Sequence, residues 1–307
     1  MPVVWPGGKR FAFTIFDDPD SQDEGVSRLV YALLDDLGLR TTKAVWPLGP
    51  RRRPNSPGET CASPSFRRHC QELQARGFEI AFHNATLHAS LREETIEGLE
   101  LFRDYFGRDP LTMANHYNEE AIYWGPARLS GIYRHVYQLV TLGRTRARHF
   151  GHVAGHPTFW GDICLARIRY CRNFVFAELD TLTACPWMPY YDPARPFVRA
   201  WFAASDGHDR RAFLAIVTER NLDRLEASGG AAIIYTHFGH GFVEGGRLDA
   251  DFLATMRRLA RRPGWFVPVG TLLGYLEERY GLTRLDPARR SRLERRWLLE
   301  KLFRGTT

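Results

Sequence analysis

Short apolar runs alternate with stretches of helical period along most of this chain, which restricts it to βα units laid on a mostly parallel sheet. Residues 11–16 read as the first strand, and 26–37 as a helix stopped by Gly38. Further strands are expected at 42–46, 78–82, 111–114, 231–235 and 265–269. Helices are expected at 67–76, 90–106, 209–228, 249–261 and 272–280. The span 47–64, rich in Pro, Gly and Arg, reads as a long surface loop, and 116–199 has no clear period. Barrels of βα units commonly run to 307 residues as one domain, so 1–285 are read as a single α/β barrel and 286–307 as a basic helical tail.

The formal charge of +7 sits mostly in that tail. Residues 287–307 hold seven basic residues against Glu294 and Glu300, so the remainder is nearly balanced and no nucleic-acid partner is expected. Two roles suit the tail: peripheral contact with anionic lipid headgroups, or packing on a second subunit in an oligomer. No signal-peptide pattern opens the sequence and no window of about 18 apolar residues follows, which points to a cytoplasmic protein. The five cysteines show no CxxC or metal-ligand spacing, as expected of reduced thiols.

Chemistry-bearing residues gather just after the strands. Asp17 and Asp18 follow FAFTIF, His83 and His88 follow the strand at 78–82, and His237 and His240 follow AAIIYT. In parallel α/β folds the C-terminal rim of the sheet is where sites are built. Adjacent carboxylates on extended backbone point in opposite directions, so one can hold a cation while the other acts as a base. Imidazole suits zinc, whose catalytic sites take three protein ligands and leave one position open. Asp18, His83 and His88 make such a set. A histidine such as His237 is suited to protonate a leaving group, because its pKa lies near neutrality. Asn115 and Asp162, the latter in an aromatic-rich middle region, are candidates for substrate contact.

The order TIFDD, FHNATLH, YTHFGHGF resembles the polysaccharide deacetylases of the NodB-homology type, carbohydrate esterase family four, over roughly residues 10–125 and 229–276. The resemblance implies a distorted (β/α)7 barrel and a divalent metal, with zinc expected, held by Asp18, His83 and His88. It implies Asp17 as base, His237 as acid, and an N-acetylated sugar or glycan intermediate as substrate. Two departures stand out. The histidines are five apart instead of the family's four, and Asn115 or His116 stands where the family has an arginine, leaving Arg172 as a candidate replacement. Alternative functions are hydrolysis of a small non-sugar amide, as in allantoinase-like relatives, and a catalytically silent glycan-binding barrel.

Overall fold

A computed structural model describes residues 3–143 and 148–305. Seven parallel strands close on themselves: β1 Phe11–Asp17, β2 Thr42–Val45, β3 Glu79–Phe82, β4 Thr112–Met113, β5 Tyr170–Phe176, β6 Ala200–Asp206 and β7 Ala231–Thr236. Each pairs with the next and β7 returns to β1, in register from Ala12↔Ala231 to Asp17↔Thr236. This is the expected (β/α)7 barrel. Every residue of β1 and of β7 is buried. Strands covered on both faces read as continuous apolar runs, which is how both stand in the sequence.

The barrel is distorted at one edge of β1. A further strand, β8 Gly264–Phe266, takes Phe11–Phe13, while β2 takes only Phe16 and Asp17. The end of β1 is thus gripped on both sides, by Lys43 and by Thr236, and the residues that follow are launched over the barrel mouth from a fixed point.

Most expected helices form within a few residues of their limits: Glu24–Asp36, Pro64–Ala75, Arg92–Phe106, Ala250–Ala260 and Val269–Tyr280. The single helix expected over 209–228 is two, Arg210–Ile216 and Glu219–Ser228, because Thr218 caps the second by accepting from the Asn221 N–H at 3.3 Å. β5 lies in the region that showed no period, and β6 directly after it, where no strand was expected. β5 carries Arg172 and Asn173 in its middle, and its register with β6 shifts between Arg172 and Val175, so neither an alternating nor a uniformly apolar pattern marks it.

Residues 287–304 form a helix, Pro287–Arg304, capped by Asp286, whose carboxylate accepts from the Arg289 N–H at 2.8 Å. Leu293, Glu294, Trp297 and Leu298 are buried against the barrel wall. Glu294 accepts from the Ser130 N–H at 2.8 Å and from Arg195 at 2.8 Å, and Arg290 and Arg296 pair with Asp192 and Glu178. Much of the basic charge is therefore matched within the fold. The five cysteines are free and buried, and no helix among the described residues is long and apolar enough to cross a membrane.

Candidate active site

The strand ends of β1, β3, β4 and β7 meet around a cavity of about 440 Å³, which also receives Arg172 from β5. Asp17, the last residue of β1, does not line it. Its carboxylate turns to the other side, accepting from the Phe238 N–H at 3.0 Å, Tyr31 Oη at 3.1 Å, Gln22 Nε2 at 3.2 Å and Lys43 Nζ at 3.3 Å. Burial raises the pKa of this carboxyl against the pull of Lys43. Both ions are fully buried, so Asp17 and Lys43 form a structural pair under the mouth.

Asp18, one residue on, faces the cavity, as alternation along an extended strand requires. Both its oxygens are taken by the fork of Arg172, Nη1 to Oδ1 at 2.9 Å and Nη2 to Oδ2 at 2.6 Å. The Arg172 guanidinium lies 4.2 Å from the Tyr235 ring centroid, which fixes its plane. The replacement arginine considered from the sequence thus reaches the site from β5, and its partner is Asp18.

Asp20 is the residue that sequence reasoning passed over. After the turn at Pro19 its carboxylate returns to the cavity, with Oδ1 3.1 Å from His116 Nε2 and Oδ2 3.4 Å from His83 Nε2. His237 Nε2 stands 3.8 Å from Oδ2, and the Ser56 hydroxyl donates to Oδ1 at 2.5 Å. Burial raises this carboxyl's pKa, but hydrogen bonds from His116 and His83 outweigh it and hold it well below the usual range. His116 is positioned by Asn84, whose side-chain oxygen accepts the His116 N–H at 2.9 Å. Asn84 has φ +61°, a left-handed turn that Asn tolerates, and this turn ends β3 just after His83.

Of the expected site residues the structure brings together Asp18, His83, Asn115 and His237, and leaves out Asp17, His88 and Asp162. His88 is pinned elsewhere: its Nε2 accepts from the Arg51 N–H at 2.9 Å, and its Nδ1 lies 2.9 Å from the Ala89 carbonyl. It ties the long loop after β2 to the loop after β3. Asp162 forms an outward-facing bidentate pair with Arg92, at 2.7 Å for each oxygen. Asn115 lines the cavity, but both ends of its amide are spent on the Ile122 backbone, at 2.8 and 3.0 Å. The signal for Asp20 is the run DDPD at 17–20, which sets a third carboxylate just past the turn-forming Pro19.

The expected ligand trio of Asp18, His83 and His88 does not converge. Among the described residues no group of three or more His, Cys, Asp or Glu is placed to hold a metal ion as the side chains stand. Asp20, His83 and His116 nevertheless carry the right donors for one carboxylate and two imidazoles. Two donors on a tetrahedral zinc at about 2.0–2.2 Å lie roughly 3.3–3.6 Å apart. The carboxylate-to-imidazole spacings of 3.1 and 3.4 Å are close to that. The Nδ1 atoms of His83 and His116 are buried without hydrogen-bond partners, so neither ring is committed to a structural network through its second nitrogen. The donor set therefore fits a divalent cation.

No protein-family model and no curated protein matches the sequence. Solved structures match in fold. A Mycobacterium smegmatis protein named as a polysaccharide deacetylase is 14% identical with a TM-score of 0.53, covering 93% of this chain and 96% of its own. Puue allantoinase is 13% identical with a TM-score of 0.52, over 91% and 94%. A Pseudomonas aeruginosa PAO1 protein, also named as a polysaccharide deacetylase, is 12% identical with a TM-score of 0.51, over 91% and 95%. The barrel is thus of the polysaccharide-deacetylase type, and at these identities the likeness is one of fold.

Proposed function

We propose that this chain is a metal-dependent hydrolase of C–N bonds that deacetylates an N-acetylated sugar or glycan intermediate. The observation that carries the proposal is the arrangement of two differently partnered carboxylates, Asp18 on Arg172 and Asp20 on His83 and His116, with His237 beside them in one cavity. Asp20, His83 and His116 would hold the cation, with zinc the expected metal, and it would supply Lewis-acid polarisation and a more acidic water. Asp18 takes the proton of the attacking water, and Arg172, gripping both its oxygens, keeps the carboxylate aimed. His237 has its Nδ1 at 2.7 Å from the His208 carbonyl oxygen, which fixes the ring with Nδ1–H donating and Nε2 turned to the Asp20 side. When it carries a second proton on Nε2, it gives that proton to the departing amine.

The roles implied by resemblance for Asp17 and Asp18 thus each move along the DDPD motif, to Asp18 and Asp20. Hydrolysis of a small non-sugar amide stays the second reading, because Puue allantoinase shares the barrel over 91% of this chain. A turnover panel of N-acetylated sugars against ureides and imides, run together with metal analysis of protein purified without added ions, tests both. Asp18→Asn and His237→Ala should each lower turnover about 10²–10⁴-fold, the usual worth of a general base or acid. Metal-free protein in which neither change alters turnover would abolish the proposal.

A further inference from the structure

One cation in the cavity is not used by this chemistry. Arg128 is the last residue of the 3-10 turn Gly125–Arg128 in the segment after β4; it is 2% exposed and lines the same cavity as Asp18 and Asp20. Its Nε and Nη2 have no hydrogen-bond partner, and it makes no ion pair among the described residues. The other buried arginines are matched, Arg172 by Asp18 and Arg195 by Asp192 and Glu294. An uncompensated buried guanidinium is costly, so its retention calls for a partner that arrives from outside.

The surroundings say what shape that partner has. The guanidinium carbon lies 3.8 Å from the Trp124 ring centroid and 4.9 Å from that of Trp297. The rings occupy its surroundings as cation-π neighbours, whereas its N–H donors all radiate in the guanidinium plane, a fork that matches a carboxylate or phosphate. Lys301, on the helix Pro287–Arg304, also lines the cavity, and burial together with the Arg128 charge pushes its pKa down to about 8. Arg128 itself is pushed down by burial to about 10 and so remains charged at neutral pH. An anion bound at Arg128 offsets the cost of burying that guanidinium and its repulsion with Lys301.

We propose that Arg128, held against Trp124 and Trp297, receives an anionic oxo group of the substrate, a carboxylate or a phosphate, so that the molecule processed is an acidic or phosphorylated sugar derivative. As a statement about substrate this rests on the hydrolase proposal above; as a statement about binding it is read without turnover. Trp124 and Trp297 report on the subsite directly, so intrinsic fluorescence of the full chain is titrated with glucuronate, glucose 1-phosphate and glucose, each with and without chelator. Saturable changes are expected with the two anions and none with glucose over the same range, and they should persist in chelator. The tighter of the two anions identifies the group. Arg128→Gln should weaken anion binding at least tenfold, and Arg128→Lys less. If the wild type fails to separate anions from glucose, if chelator removes the anion response, or if folded Arg128→Gln binds as the wild type does, the subsite is refuted. Should Arg128→Gln not fold, the wild-type discrimination and Arg128→Lys decide the matter. A chain that binds anions through Arg128 and hydrolyses no member of the panel keeps the subsite and loses the hydrolase.

Discussion

The two walls of the cavity treat charge in opposite ways. On the strand-end wall the buried ions are matched, Asp18 with Arg172 and Asp20 with two imidazoles, and just outside the cavity Asp17 is matched with Lys43. On the wall built from the segment after β4 and the helix Pro287–Arg304, Arg128 is buried with two unpartnered donors. Rigid, compensated charge suits groups that must hold fixed geometry during a reaction. Uncompensated charge suits a surface whose counterpart comes and goes with a ligand.

The contrast breaks first if the helix Pro287–Arg304 is only an appendage. Trp297 is 1% exposed and its ring lies 5.5 Å from that of Tyr137, so Trp297→Ala should destabilise the whole domain by about 3–5 kcal/mol. A denaturant midpoint left at the wild-type value would show that the second wall is not part of the fold. Next, Asp17→Asn leaves Lys43 buried with its charge unmatched and should cost about 3 kcal/mol. Turnover by the folded fraction should stay within about tenfold of the wild type; a loss of 10²–10⁴-fold would return Asp17 to the role of base.

The smallest effect has the reverse sign. Burial pushes the Glu120 carboxyl up to about 8, although its Oε2 accepts the Ser90 N–H at 3.1 Å. The folded chain then holds a proton that the unfolded chain loses near pH 4.5. The stability it confers is complete below about pH 4.5 and is lost as pH rises towards 8. Glu120→Gln, which cannot ionise, should flatten that slope and gain roughly 2 kcal/mol at pH 6.5 relative to pH 5. Urea midpoints at the two pH values measure it, and parallel slopes for the two proteins would show that Glu120 ionises without penalty.

The strand-end wall was legible in the sequence because its residues are local to strands that announce themselves. Asp18, His83 and His237 each follow a buried apolar run by one or two positions, and position after a strand is enough to place them at the rim. What went astray there was finer: which of Asp17, Asp18 and Asp20 turns inward, and the use of His88, both decided by loop geometry. The other wall was not legible. Arg128 lies in a 3-10 turn without periodicity, and Trp297 sits in a helix whose apolar residues do not form one stripe. Nothing local links Arg128 to Trp297, since that contact joins distant parts of the chain.

That distance has a kinetic meaning. Asp18 and Lys301 line one cavity although nearly the whole chain lies between them. Closing so large a loop costs entropy that only the finished barrel repays, and topologies dominated by such distant contacts fold slowly. The cavity is then among the last features to assemble, and a partly folded chain has barrel segments but no complete site.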